Sequence, residues 1–206
     1  MSWETWTLPG QGPSTHSLTN SIERTTSTSA WRSVLRKAPG LCDTEAVADR
    51  EFGGVSFETE ASPAEPPVLK ELASAVDTAL PDDLLRFYAT VNGGDCEYEV
   101  VLPDRAAPVS PAYWFSAEEA IEELKRLAHT YFSAELPRQF VPLAVTGSED
   151  DLFLLDLAEG DHGRVLAWMT GRPPGWHRPT DDALLAVAEG LSLFLALLRP
   201  IDDVDE

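Results

Sequence analysis

The sequence predicts an α+β domain, a mainly antiparallel sheet packed against helices. Two observations carry that class. Segments with helical periodicity come first, and strand-like runs in the second half are joined by short turns, which suit antiparallel pairing. No fixed-period repeat interrupts the order. The 206 residues, 43% hydrophobic, are enough for one sizeable core.

The elements follow in chain order. From Ser14 to Ser29, ten of sixteen residues are Ser or Thr, so the segment has too little apolar surface to offset its ordering entropy. Residues 1–29 therefore read as a flexible tail, residues 30–200 as a single domain and residues 201–206 as an acidic, solvated end. Trp31, Val34 and Leu35 suit a short amphipathic helix stopped by Pro39-Gly40. Gly53 to Phe57 opens a strand, and a Pro-rich stretch from Pro63 to Pro67 leads into a helix carrying Val68, Leu69, Leu72, Ala73 and Val76 on one face.

After Leu80-Pro81 a second helix places Leu84, Phe87, Tyr88 and Val91 together. Pro81 suits its first turn, where a missing N–H costs nothing, and Asp82 and Asp83 suit the positive end of its dipole. Asn92-Gly93-Gly94 ends that helix, because these residues accept left-handed backbone angles. Cys96 to Leu102 alternates, with Cys96, Tyr98, Val100 and Leu102 on one face and Glu97 and Glu99 on the other, as in a strand with one wet face. Ser116 and Glu119 form a capping box for a helix with Ala117, Ala120, Ile121, Leu124, Leu127, Ala128 and Tyr131 inside.

Three strands are expected at Phe140–Val145, Leu152–Leu157 and Val165–Met169, the middle one apolar on both faces except for Asp156 and so central in the sheet. A last helix, from about Asp181 to Leu198, is expected to lie on the sheet as the main core helix.

Charge narrows the function. The chain has 35 Asp+Glu against 15 Lys+Arg, a formal net charge of −20. Residues 1–40 hold Glu4 and Glu23 against Arg24, Arg32, Arg36 and Lys37. The remaining residues therefore carry 33 acidic and 11 basic side chains, a net of −22. A small domain needs a net charge of only about 2–8 in magnitude for solubility. Direct binding to nucleic acid or to an anionic membrane is disfavoured, because both recruit Lys and Arg. Two isolated cysteines, Cys42 and Cys96, read as free thiols in a reducing compartment. The N-terminus has no secretory h-region, and no apolar run is long enough to span a bilayer, so the expected location is the cytoplasm.

Catalytic signatures are missing from the sequence: there is no Walker loop, GxGxxG, HExxH, GxSxG or EF-hand loop, and the four histidines are far apart. Glu149-Asp150-Asp151, with Asp156 nearby, offers oxygens of the kind hard cations take, but acidic hairpin turns explain the cluster better. Glu97 and Glu99, two apart on one face, read as solvated side chains rather than an acid/base pair. No metal or cofactor is expected.

Leu80-Pro81-Asp82-Asp83, Phe87 and Asn92-Gly93-Gly94 occur in an order that resembles the SMI1/KNR4 family of the SUKH superfamily. Trp114, Phe140-Val141-Pro142-Leu143, Gly147 to Leu157 with Asp156, Val165 with Trp168, and Leu191 with Phe194-Leu195 extend the resemblance over about residues 63–198. The resemblance implies an α+β fold without enzymatic activity. In bacteria such domains are typically immunity proteins that bind and neutralise a toxin, often a nuclease, while fungal relatives act as interaction hubs. It implies structural roles for Leu80, Pro81, Asn92, Gly93, Gly94, Asp156 and Trp168.

Together with the charge of residues 41–206, the resemblance points to a protein that occludes a basic toxin domain. Exposure patterns place the contact on Glu97, Glu99, Glu149, Asp150 and Asp151, with Tyr98 or Trp114 as aromatic anchors. The alternative is a housekeeping scaffold that binds a cellular partner through the same surface or through Trp3 and Trp6.

Overall fold

The computed structural model describes residues 47–103, 105, 107–130, 139–147, 151–158, 163–169 and 183–201. The chain divides into the units Met1–Gly40 and Leu41–Glu206, and only the second contains described residues. The tail expected at 1–29 and the helix expected near Trp31 lie outside them.

A Gly-Gly pair opens the architecture. Strands β1 (Ala48–Phe52) and β2 (Val55–Thr59) pair antiparallel with Phe52 opposite Val55, leaving Gly53-Gly54 as a two-residue turn. Both glycines have positive φ, 63° and 81°, the angles that match the twist of a tight hairpin. β1 was not anticipated. Its alternation is weak because it is an edge strand with Asp49 and Glu51 outward, a charged pattern that discourages pairing with other chains.

Helix α1 (Pro66–Val76) begins on prolines and stops at Asp77, which turns left-handed at φ 55°. Helix α2 (Asp82–Thr90) has Pro81 as its N-cap, one position earlier than expected. After it come the short strands β3 (Gly94–Asp95), β4 (Tyr98–Glu99) and β5 (Tyr113–Trp114), and then helix α3 (Ala117–Thr130). The capping box forms as expected: the Glu119 amide donates to Ser116 Oγ at 3.2 Å, and the Ser116 amide donates to Glu119 Oε2 at 2.8 Å. Ala117, Ala120, Ile121, Leu124 and Leu127 are buried along its inner stripe.

Strands β6 (Phe140–Val145), β7 (Asp151–Asp156) and β8 (Arg164–Met169) match the three expected runs to within a residue. Register shifts between Pro142 and Ala144 in β6, where Pro lacks an N–H for the ladder. The large sheet is antiparallel throughout, in the order β1-β2-β3-β5-β6-β7-β8 and then β9 (Leu184–Ala188). This is the α+β architecture expected from the sequence.

Two expectations are corrected. The closing helix over 181–198 is instead β9 followed by the short helix α4 (Leu191–Leu197). Gly190, at φ 120° and ψ 163°, breaks the run, and Leu184 to Ala188 extend the sheet by pairing with β8. A short apolar run satisfies either period, and here the open edge of β8 decided. The strand expected over Cys96–Leu102 is also broken up. β3 joins the large sheet, whereas β4 pairs with β10 (Arg199–Pro200) in a separate two-stranded sheet, and Val100 bridges Val109. The alternation still holds in part, with Cys96, Val100 and Leu102 buried and Glu97 and Val101 exposed.

The core runs through aromatic rings. Phe57 of β2 meets Trp114 of β5 edge-on at 5.4 Å and 89°, and also meets Phe87 of α2 at 5.6 Å. Phe194 of α4 links Trp114 to Phe153 of β7, at 5.8 Å and 5.0 Å. Helices α2 and α4 thereby share one aromatic seam against the sheet.

Candidate functional site

The residues singled out by the sequence fall into two groups, and the first builds the framework. Asn92 is 2% exposed and left-handed at φ 58°. Its side-chain amide donates to Ser62 O at 2.7 Å, and its Oδ1 accepts from the Ala117 amide at 2.9 Å. One side chain thus ties the end of α2 to the chain before α1 and to the start of α3. Gly93 and Gly94 follow at φ 88° and 126°, and a Cβ on either would come within 2.5 Å of backbone, at Ser116 N and Glu58 O respectively. Only glycine fits this crossing.

Leu80 is buried, and Pro81 is the N-cap of α2. Asp83, read from sequence as a dipole partner of its own helix, reaches further. Its Oδ2 accepts from both the amide and the hydroxyl of Ser192, each at 3.1 Å, while Oδ1 accepts from the Leu84 amide. A buried carboxylate therefore ties α2 to α4. Nothing in the local sequence signals a bond across 109 residues.

Asp156 and Trp168 are buried in the hairpin of β7 and β8. Asp156 Oδ1 accepts from the Ala158 amide at 2.9 Å, and its Oδ2 lies 3.7 Å from Arg164, the residue opposite it in register. Asp151 occupies the other end of β7 and pairs with Arg105 at 3.0 Å. The two aspartates are about 17 Å apart along the strand, at ~3.4 Å per residue, so they do not share a cation. Among the described residues, no group of three or more His, Cys, Asp or Glu is placed to hold one.

The second group is the expected contact surface. Glu97 is exposed, Tyr98 and Glu99 are half-buried, and Tyr98 and Glu99 form β4 of the two-stranded sheet with Glu97 immediately before it. Glu99 pairs with Arg199 at 2.8 Å. Asp151 belongs to the large sheet, so the structure brings Glu97, Tyr98 and Glu99 together and places Asp151 on another element. Glu149 and Asp150 lie outside the described residues. Trp114 is corrected: it is fully buried among Phe57, Phe87 and Phe194 and has no surface to offer a partner. Its place in β5 at the centre of the aromatic seam accounts for that.

Reactive groups are held quiet. Burial pushes the Cys96 thiol up to about 12, outweighing the lowering by the Tyr98 backbone. Tyr113 is raised above its ordinary value by burial and by Glu119, whose Oε1 accepts its hydroxyl at 2.6 Å. Tyr88 is raised by burial and then by Glu119 and Glu118. Neither a thiolate nor a phenolate is available near neutral pH at these positions.

Sequence reasoning missed an apolar group on the outer side of α4 and the small sheet: Val101, Leu193, Leu197 and Ile201 are 54%, 56%, 52% and 44% exposed. A signal was present. Helical spacing over Leu191–Leu198 puts Leu193 and Leu197 opposite Leu191, Phe194 and Leu195, and the stretch contains no charge.

No helix among the described residues is long and apolar enough to cross a membrane. No curated protein matches the chain. The family model that describes the SMI1 / KNR4 family (SUKH-1) matches residues 63–197, from the turn before α1 to the end of α4, and the chain belongs to that family.

Proposed function

We propose that this chain is a non-catalytic, cytoplasmic binding protein of the immunity type, which neutralises a cognate toxin by occluding its basic surface. The family is one associated with immunity proteins. The observation that carries the reading is the net charge of −22 on residues 41–206 in a chain of that family. A nuclease must attract a polyanion, so its inhibitor gains from a field of the same sign as the nucleic acid. Arg105, Lys125, Arg126, Arg164 and Arg199 each already meet a carboxylate within the chain, so they are not spare cations for a nucleic acid.

Glu97, Tyr98 and Glu99 are the proposed contacts, with Glu149, Asp150 and Asp151 as further acidic positions. Neither nucleic acid nor a membrane is a direct ligand in this reading. The test is co-expression with the product of the adjacent upstream gene. Restored growth and a complex on a sizing column are expected. Continued toxicity with no complex would leave the housekeeping scaffold as the better account.

A further inference from the structure

A helix facing water normally carries charge on its outer side. Helix α4 carries none, and its outward positions are Ser192, Leu193, Ala196 and Leu197. Singly exposed hydrophobics are ordinary, but these are not scattered. Of the five large hydrophobics strongly exposed among the described residues, only Val47 lies elsewhere.

The register of the small sheet explains the clustering. Arg199 lies opposite Glu99, and the Ile201 amide donates to Glu97 O at 3.1 Å. Residues opposite one another share a face, so Ile201 stands beside Glu97 and Arg199 beside Glu99. Val101, two residues past Glu99, continues that face toward the end of α4, where Leu197 sits, with Leu193 one turn earlier. The result is an apolar strip of Leu193, Leu197 and Val101 that is parted from Ile201 by the Glu99–Arg199 pair and has Glu97 at its far edge.

Charge selects the occupant. Among the described residues, 97–101 and 189–201 hold three carboxylates, Glu97, Glu99 and Glu189, against one cation, Arg199, which Glu99 already neutralises. A second copy of this chain would bring like charge against like. We infer that the outer face of α4 and the β4–β10 sheet is the docking surface for a foreign protein whose contact patch has an apolar centre ringed by Lys and Arg. The inference rests on the reading of the chain as a binder of a basic partner. It adds where that partner sits, and it makes the apolar strip the source of affinity, with the carboxylates steering and orienting.

The probe is the full chain carrying a benzophenone side chain at position 193 or 197, or at 47 as control. It is irradiated in extract of its native cells, and each cross-linked protein is then purified and titrated. The expected result is a cross-link from 193 and 197 but not from 47, to a protein with a basic contact surface. Leu193→Lys and Leu197→Lys should weaken its binding about tenfold or more, and Val47→Lys should not. If either lysine variant fails to fold by thermal melting, Val101→Lys and Ile201→Lys take its place. A basic partner that is not a toxin would support this surface and overturn the immunity reading. Toxin binding unaffected by these substitutions would do the reverse. Cross-links to a second copy, to an acidic protein, or no more at 193 and 197 than at 47 would overturn the proposal.

Discussion

Single residues carry the junctions of this fold, and their substitutions should separate strain from contact. At Gly93 and Gly94 an added Cβ meets backbone at 2.5 Å, whereas at Gly54, also left-handed, it meets nothing within 4 Å. Gly54→Ala is therefore expected to cost only the left-handed penalty of about 1–2 kcal/mol. Gly93→Ala or Gly94→Ala should exceed about 3 kcal/mol or abolish folding, because backbone on both sides must move. Urea melts of the three variants check this ordering.

Asp83 offers a second residue-scale test. Replacing it with Ala removes the acceptor for both Ser192 groups and should cost about 2–3 kcal/mol, while Ser192→Ala removes one bond and should cost about 1 kcal/mol. A double-mutant cycle should give a coupling near the smaller value, and no coupling would mean that the α2–α4 tie is energetically empty.

At the scale of elements, the ending of the chain decides between two local codes. The stretch 181–198 satisfies helical spacing, yet Gly190 sits at φ 120° between β9 and α4. The two arrangements predict opposite signs for Gly190→Ala. In a continuous helix the change would stabilise by about 1 kcal/mol, whereas at this left-handed break it should destabilise by about 1–2 kcal/mol. The change in melting midpoint reads the sign directly.

The same contrast shows what was legible in the sequence. Helix α3 was readable because Ser116, Glu119 and a five-residue inner stripe agree with one another. β6, β7 and β8 were readable because turn residues separate runs of strand length. β9 was not, since its identity depends on the free edge of β8, and β1 was hidden by its outward charges. Of the candidate site, the acids were legible as exposed positions. Trp114 was misread because alternation in a two-residue strand cannot show which side is the core. The apolar face of α4 emerges only once the helix is cut at Gly190.

For the whole molecule, burial of ionisable groups sets a pH dependence on the alkaline side. Cys96 holds its proton up to about 12 when folded, against 9 for the ordinary thiol, and Tyr88 and Tyr113 are raised in the same direction. The unfolded chain therefore loses these protons first. Stability is full below about pH 9 and should fall as pH rises through 9 to 12. Denaturant melts between pH 8 and 11 should show that decline, and peptide mapping should find Cys96 alkylated at pH 8 only after unfolding.

The net charge of −22 on residues 41–206 is far more than solubility requires, and the proposed basic partner would make use of it. The most direct test is the association rate of the purified chain with the product of the adjacent upstream gene, followed by stopped flow from about 50 mM to about 500 mM NaCl. Charge-steered docking predicts a complex whose association rate falls about tenfold or more across that range, with a smaller change in dissociation. No complex, or an association rate indifferent to salt, would contradict it.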